Sequence, residues 1–536
     1  MGDEKHCVSW SWDMLIKFGA AFIAITVLVS AAPSWGDLNR DIKHCQNHRA
    51  KPVARVASCT RVIQSNRFGG KDLAVIFMLR GNAFDDRGET DRAIQDYGAA
   101  IRLNPRDSRA YFNRGFIYSK TKDRIELAIR DFSQAIRLHP GDASAFQSRG
   151  VAFGKAGRWD RAITDYNEAL RLRPHSASVF YNRGIAYDEK GDIDRAIEDY
   201  TVSLGLNAGA AAVLHRRGQA YAKKGELDRA IADYHSALRL KPRAAVVYRS
   251  RALAYVAKGK PAWAIEDLNE AISLNRKDHS AYYNRGLAHS KRGKFNQAIE
   301  DFSESLLLKP NTAEVLYGRG HALYRRGRHD AAIRDFSAAI RLKPGTGVFF
   351  YGRGLAHGKK GKHDLALADF DTAIGLTPDF VPAYLNRGRS NFFLGRFRAA
   401  VPDLERAVRA LPKDLFRLVW LHLARSRAGA DGRAALREAV EKLDLRRWPG
   451  PLVSMYLGRM SGAEAIKRAG KGSKRKRREK LTEAYYFVAQ DHLMHGDRDK
   501  AKELLRSAIK LRVKYFVVYT GARAELARMA NKQPPK

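Results

Sequence analysis

The sequence predicts an all-α solenoid built from repeated helix hairpins. An Arg-Gly dipeptide, Arg-Ala in one case, recurs along the chain, and eight of its nine spacings are 34 residues while the other is 35. A glycine such as Gly191 separates two apolar patterns of helical period within a unit. Self-similarity at this period indicates stacked units rather than a single folded pocket. The arginines of the repeated dipeptide are Arg80, Arg114, Arg149, Arg183, Arg217, Arg251, Arg285, Arg319, Arg353 and Arg387.

The fourth unit, residues 177–210, shows how each hairpin is expected to pack. Gly184 and Ala196 allow two helix backbones to approach closely, and Tyr187 and Tyr200 fill the space around that contact. This pattern resembles the tetratricopeptide repeat (TPR). The resemblance implies a right-handed superhelix of about ten full hairpins over residues 74–414, whose first helices line a concave groove. Single hairpins cannot bury their apolar faces alone, so neighbours must stack. Proline ends the second helix at Pro105, Pro140, Pro174, Pro242, Pro310, Pro344, Pro378 and Pro412.

An aspartate occurs in the second helix of every unit, where it matches the arginine of the first helix. Because each unit supplies one cation and one anion, we predict internal ion pairs that fix the hairpin geometry. The alternative is a ligand-binding stripe of arginines, which would not require one aspartate for each arginine. The aspartates are Asp96, Asp131, Asp165, Asp199, Asp233, Asp267, Asp301, Asp335, Asp369 and Asp403.

The first 36 residues have the layout of a secretory signal peptide. An apolar stretch from Phe18 to Val29 follows Lys17 and precedes small residues, with cleavage predicted after Gly36 or near Ala32. Met14 is an alternative start. The sequence therefore predicts a periplasmic or secreted protein, and the alternative is an inner-membrane anchor formed by residues 14–32.

Residues 37–73 are expected to form a partial repeat with a disulfide between Cys45 and Cys59. The third cysteine, Cys7, lies in the leader, and a bridge across 13 enclosed residues would stabilise the exposed end of the array. His44 and His48 are separated by one helical turn, but no complete four-ligand set accompanies them. We therefore expect neither a metal nor a cofactor.

The period ends after Asp414. Residues 415–480 are predicted to be a helical connector, and residues 481–536 a last TPR-like hairpin with a capping helix. Trp448, Tyr456 and the Ala501 region resemble the carboxyl end of NlpI-type periplasmic TPR proteins, which implies an adaptor that brings envelope proteins together. The basic run within residues 467–480 is expected to be a mobile loop, with contact to anionic lipid or cell-wall polymer as the alternative.

The groove is the predicted site, and extended peptides are its predicted ligands. Aromatic rings with interleaved amides offer apolar contact and main-chain hydrogen bonds to such a peptide. The alternative is that many of these side chains pack between adjacent hairpins. Asn82 and Asn113 match two positions of the carboxylate-binding clamp of cytosolic TPR adaptors, but Met78 and Ser144 replace its cations. The predicted groove residues are Phe112, Asn113, Tyr181, Asn182, Tyr283, Asn284, Tyr317, Tyr351 and Asn386.

No catalytic motif is found, so the sequence predicts a non-catalytic scaffold for proteins or peptides, above all envelope proteins. It gives no reason to expect a nucleic acid partner or a small-molecule substrate. The chain carries 97 Lys and Arg residues against 57 Asp and Glu, a formal net charge of +40. This excess supports a second hypothesis, charge-driven binding of an anionic polymer or membrane surface. A third hypothesis is an unrecognised enzyme in the carboxyl-terminal region.

Overall fold

The computed structural model describes residues 35–530, in which there are 29 α-helices and no strand. The chain divides into two compact units, Met1–Arg195 and Ala196–Lys536. The all-α repeat fold predicted from the period is confirmed. The predicted leader lies outside the described residues except for Trp35 and Gly36, and so does the alternative anchor at residues 14–32.

The first hairpin, α1 (Trp35–Gln46) and α2 (Pro52–Gln64), precedes the full repeats. Ten first helices follow: α3 (Gly70–Asp86), α5 (Ser108–Tyr118), α7 (Ala143–Lys155), α9 (Ala177–Lys190), α11 (Ala211–Lys224), α13 (Ala245–Ala257), α15 (His279–Lys291), α17 (Ala313–Arg325), α19 (Gly347–Lys359) and α21 (Val381–Phe393). The second helices are α4 (Thr90–Leu103), α6 (Ile125–Leu138), α8 (Trp159–Leu172), α10 (Ile193–Leu206), α12 (Leu227–Leu240), α14 (Pro261–Leu274), α16 (Phe295–Leu308), α18 (His329–Leu342), α20 (His363–Leu376) and α22 (Phe397–Ala410).

A left-handed glycine ends most of the first helices. Gly225, for example, has φ +85° and follows Lys224, the last residue of α11. This conformation strongly favours glycine because a Cβ atom would be strained there. A second kind of glycine lies inside the first helix, where Gly286 approaches the ring of Phe302 so closely that a Cβ atom would lie 2.7 Å from it.

The carboxyl-terminal region has seven helices: α23 (Leu415–Arg427), α24 (Gly432–Ala439), α25 (Gly450–Tyr456), α26 (Gly462–Ala469), α27 (Lys474–Met494), α28 (Arg498–Lys510) and α29 (Val517–Ala530). Its core is centred on Trp420, which is 1% exposed and contacts the rings of Phe392, Tyr486 and Phe487. This core joins the last full repeat to the helices that follow it.

The prediction of a mobile loop at the basic run is wrong. Residues 474–480 form the first two turns of α27, so the helix crosses the predicted boundary at residue 481. Contacts distant in sequence stabilise these turns: Arg478 Nη2 donates to the carbonyl oxygen of Leu511 at 2.6 Å, and the Tyr515 hydroxyl donates to Glu479 at 2.6 Å. Such tertiary contacts override the local preference of a charged run for solvent.

The last helix does more than cap the end of the array. α29 packs against α27 and α28, and also against the first helices α19 and α21. Gly521 permits this contact, because a Cβ atom there would lie 2.4 Å from the ring of Phe393. Buried Glu525 pairs with Arg528 and lies 3.5 Å from Arg427, which fastens α29 to α23.

Candidate functional site

The repeat arginines form the best-defined polar arrangement in the chain. In the fifth full repeat, Arg217 Nε and Nη2 donate to the two carboxylate oxygens of Asp233, both at 2.8 Å. Fork-to-fork pairs of this kind are the strongest ion-pair geometry available to arginine. The same pairing is present at Arg80, Arg114, Arg149, Arg251, Arg285, Arg319, Arg353 and Arg387, each with the aspartate of its own hairpin.

The third guanidinium nitrogen of these arginines reaches the preceding hairpin. Arg149 Nη1 donates to Ser133 at 3.1 Å, and Arg285 Nη1 donates to Asn269 at 2.8 Å. The acceptor lies two residues after the preceding unit's aspartate, except that Thr60, in the first hairpin, follows Ser58 instead. Its identity varies, as Thr60, Ser133, Asn167, Thr201, His235, Asn269, Ser303, Ser337 and Asp371 show.

The structural interpretation of the arginines is therefore confirmed. Their aspartate partners are buried, as Asp165 at 3% exposure illustrates, and the arginine donors point at protein acceptors. These arginines close their own hairpins, and all of them except Arg114 also bond the hairpin before. Within each compact unit, this arrangement ties together neighbouring first helices, which carry the predicted groove residues.

The predicted groove aromatics are half-buried and pack on the second helix of their own hairpin. Ring centroids are separated by 5.6 Å between Phe112 and Phe132, and by 5.7 Å between Tyr317 and Phe336. Equivalent contacts join Tyr283 to Phe302 and Tyr351 to Phe370. Tyr351 also meets Phe380 of the next hairpin at 4.9 Å. These rings thus pack within and between hairpins while one part of each remains accessible.

The tyrosine hydroxyls on this face are neutral hydrogen-bonding groups. Burial raises the pKa of Tyr351 to about 12, and burial also raises the pKa values of Tyr283 and Tyr317. Neutral phenols both donate and accept hydrogen bonds, as a peptide main chain requires.

The predicted amides lie at one position of the first helices, directly before the repeat arginine. Asn386 Nδ2 donates to the Tyr351 hydroxyl of the previous hairpin at 3.1 Å. Asn113 Nδ2 donates to Asn82 Oδ1 at 3.1 Å, so the two asparagines that match the adaptor clamp are bonded to each other. The side chains of Asn182, Asn284 and Tyr181 are partly exposed at the same level of their helices. We call this set of partly exposed aromatics and amides the first-helix face.

At the amino-terminal end, Cys45 of α1 and Cys59 of α2 face each other with their Cα atoms 5.0 Å apart, a distance that suits the predicted disulfide. Both cysteines are fully buried, and they pack with Leu38, Val62 and Ile76. Within residues 35–530, no group of three or more His, Cys, Asp or Glu side chains is arranged to hold a metal ion. None of the helices in that range is long and apolar enough to cross a membrane.

Comparison with known proteins places this arrangement in a family. Profiles described as tetratricopeptide repeat or TPR repeat match residues 81–122, 108–142, 153–191, 177–209, 218–259, 253–292, 283–346 and 351–414. The chain therefore belongs to the tetratricopeptide repeat family. Members of this family are generally non-catalytic scaffolds that bind proteins or peptides.

One curated relative is the lipoprotein NlpI homolog of Haemophilus influenzae, which is 31% identical to this chain over 120 residues. The match spans 22% of this chain and 38% of that protein. Among solved structures, the match to a tetratricopeptide repeat protein of Parabacteroides merdae spans 46% of this chain and 97% of that protein, at 19% identity and a TM-score of 0.38. The match to PilF of Pseudomonas aeruginosa spans 38% of this chain and 93% of that protein, at 20% identity and a TM-score of 0.35.

Proposed function

We propose that this chain is an exported, non-catalytic scaffold of the bacterial envelope that binds extended segments of partner proteins along its first-helix face. One observation carries the proposal. Partly exposed amides occupy one position in four of the ten first helices, and aromatic rings occupy the preceding position in five, on helices that the arginine pairs tie to their hairpins. Such a surface suits an extended peptide, which needs hydrogen bonds at regular intervals and shallow apolar contacts between them.

The envelope location rests on separate observations. The predicted leader precedes a cysteine pair that lies within bonding distance, and disulfides persist in exported proteins. The curated relative is named as a lipoprotein, which supports an envelope setting. Alkylation of the unreduced protein from cells under denaturing conditions would test both points, because unfolding exposes the buried cysteines and every free thiol is then counted. No adduct is expected if Cys45 and Cys59 are paired and the leader with Cys7 is removed; one adduct indicates a retained leader, and labelling of Cys45 or Cys59 contradicts export.

Photocrosslinking tests the binding face. A benzoylphenylalanine residue at Asn182 or Asn284, on the first-helix face, should form adducts with envelope proteins in living cells. The matched controls are Glu304 and Arg341, which are exposed on second helices. Equal adducts at all four positions, or none at Asn182 and Asn284, would contradict the proposal.

The exposed basic turns of α27 favour a second candidate function, attachment to an anionic surface. Lys474, Lys476 and Arg477 are exposed on an ordered helix, so their charges are held together at one place. Vesicles of phosphatidylglycerol in phosphatidylcholine should bind the protein less as salt rises. Changing these three residues to Gln should abolish most of that binding, whereas the same change at exposed Lys241, Arg243 and Arg276 should have a smaller effect. Equal losses from the two triple variants would contradict a specific basic site.

A further inference from the structure

A cavity of about 270 Å³ lies between the carboxyl-terminal segment and the first helices of the last three full repeats. Its walls come from α17, α19 and α21 on one side and from Tyr515, Val517 and Thr520 on the other. Lys359 Nζ donates to the carbonyl oxygen of Tyr515 at 2.6 Å and thereby ties the two sides together. Sequence reasoning missed this cavity because Lys359 and Tyr515 are 156 residues apart.

Two cations line the cavity without a carboxylate partner among the described residues. Lys359 bonds only the Tyr515 carbonyl, which leaves two ammonium hydrogens for another acceptor. Arg389 lies with its guanidinium carbon 5.4 Å from the ring centroid of Trp420, and its buried Nε has no hydrogen-bond partner. Burial lowers the pKa of Lys359 to about 8 and that of Arg389 to about 10. Both side chains are partly buried without a carboxylate at ion-pair distance, although Asp414 and Glu483 act on Arg389 at longer range, so an anion in the cavity would be stabilised by both cations.

Two arginines near the cavity, unlike Arg389, do have carboxylate partners. Arg387, two residues before Arg389 in the same helix, pairs with both Asp403 and Asp371. Arg427, in the same carboxyl-terminal core, lies 3.5 Å from Glu525. Arg389 and Lys359 differ from these two arginines in having no carboxylate within ion-pair distance, and a bound anion would supply one.

We propose that this cavity binds an organic carboxylate. The planar fork of Arg389 and the ammonium group of Lys359 would hold the carboxylate, since a guanidinium matches its two oxygens. Leu355, Phe370 and Phe393 line the same cavity and would contact an apolar body of about one amino-acid side chain. Asn386 Nδ2 already donates to the Tyr351 hydroxyl and the Pro382 carbonyl, so Asn386 would contribute its Oδ1 as an acceptor for an N–H group of the ligand.

This site differs from the clamp of the cytosolic adaptors. Lys359 lies six residues after the repeat arginine of its helix, a position that neither clamp asparagine occupies, and Arg389 is a cation at the position that Asn82 takes two residues after Arg80. This inference rests on the proposed function in one respect: Tyr351 and Asn386 line the cavity and also belong to the first-helix face. Binding of a small acid to the purified protein is nevertheless independent of any protein partner, so either proposal can fail without the other.

Calorimetry on the purified full chain tests the proposal with N-acetyl-leucine as the probe and N-acetyl-leucinamide as its neutral counterpart. We expect the acid to bind at least about tenfold more tightly than the amide. Acetyl-Ala-Ala-Leu then distinguishes two sources of the carboxylate: tighter binding than N-acetyl-leucine indicates the end of a peptide chain, and equal binding indicates a free acid. Equal binding of acid and amide, no binding of either, or tighter binding of inorganic phosphate would overturn the proposal.

Variants locate the site. Lys359→Met removes the ammonium charge while keeping an apolar wall, and it should weaken acid binding about tenfold or more. Arg389→Gln should do the same, with circular dichroism as the check on folding because Arg389 packs on Trp420. The control is Lys362→Met, the same change at an exposed position of the adjacent turn. Unchanged binding in the Lys359→Met variant would overturn the proposal even if Arg389→Gln fails to fold.

Discussion

Arg319 donates to both carboxylate oxygens of Asp335, from Nε at 2.7 Å and from Nη2 at 2.9 Å. Its remaining terminal nitrogen, Nη1, donates to Ser303 of the preceding hairpin at 3.2 Å. One side chain therefore closes its own hairpin and connects it to a neighbour. Because Asp335 is only 8% exposed, its charge depends on that arginine for compensation.

Removing one member of this pair should therefore cost more than removing both. Arg319→Met leaves the Asp335 carboxylate buried without a partner, and we expect the free energy of unfolding to fall by about 3 kcal/mol. The double variant Arg319→Met with Asp335→Leu should recover much of that loss. Urea denaturation measures both, and Arg341→Met, at an exposed position of the same hairpin, is the control. A double variant less stable than Arg319→Met would contradict this account.

The first full repeat lacks the side-chain acceptor that the later repeats provide to the arginine of the next hairpin. Gly98 occupies that position, and a Cβ atom there would lie 3.7 Å from Arg114 Nη1, an ordinary contact distance. Gly98→Ser should place a hydroxyl within reach of Arg114, as Ser133 does for Arg149. We expect stabilisation by about 1 to 2 kcal/mol, from the hydrogen bond and from removing a glycine inside a helix.

Gly98→Ala separates the two contributions, because it changes helix propensity without adding an acceptor. Thermal or urea denaturation should rank serine above alanine and alanine above glycine. If alanine and serine stabilise the chain equally, the hydrogen bond to Arg114 contributes nothing.

The glycine inside the first helix should tolerate no side chain. A Cβ atom at Gly286 would lie 2.7 Å from the ring of Phe302, so Gly286→Ala forces the ring or the helix to move. We expect a loss of about 1 to 3 kcal/mol in the free energy of unfolding. Gly375→Ala is the matched control, since nothing lies within 4 Å of its Cβ position, and it should be neutral or stabilising. Equal effects at the two sites would show that the close contact is not a constraint.

The hairpins and the aspartate pairing could be predicted from the sequence because both repeat with the period. The acceptor for the third arginine nitrogen could not, because serine, asparagine and histidine all serve and no single letter recurs. Ser303, Asn269 and His235 share a position and a hydrogen-bonding capacity, not a residue type. A search for a repeated residue type therefore finds the arginines and aspartates but not positions where different residue types make the same hydrogen bond.

The carboxyl-terminal region was less predictable because its contacts are not local. The sequence of α27 begins with a basic run that favours solvent, yet Arg478 and Glu479 bond to Leu511 and Tyr515 in a distant segment. Likewise, the pairing of Lys359 with the Tyr515 carbonyl has no signal in either local sequence. Wherever the period fails, the fold depends on such contacts.

The disulfide should matter chiefly at the amino-terminal end of the array. Replacing Cys45 and Cys59 by Ser removes a closed loop of 13 enclosed residues and leaves two polar groups in a buried position. We expect a local loss of about 3 kcal/mol, since the cross-link restricts the unfolded chain. Hydrogen exchange should show faster exchange in α1 and α2 but unchanged exchange in α15 and α16. Uniformly faster exchange throughout the chain would contradict a local role.

Glu483 should make the stability of the carboxyl-terminal region depend on pH. Its carboxylate accepts a hydrogen bond from Trp448 Nε1 at 2.7 Å, and burial raises the pKa of Glu483 from 4.5 to about 7. Because this pKa is higher in the folded state, folding favours the protonated form. The contribution of Glu483 to stability is therefore full below about pH 4.5 and lost as the pH rises through about 7. The predicted change is about 3 kcal/mol.

A Gln side chain accepts the same hydrogen bond from Trp448 without titrating. The wild-type protein should thus lose stability relative to Glu483→Gln between about pH 5 and about pH 8. Urea denaturation midpoints across this range measure the difference, and Glu441→Gln, at an exposed position, controls for the removal of one carboxylate. If the wild type and Glu483→Gln change in parallel with pH, the pKa of Glu483 is the same in the folded and unfolded states and its burial does not favour the protonated form.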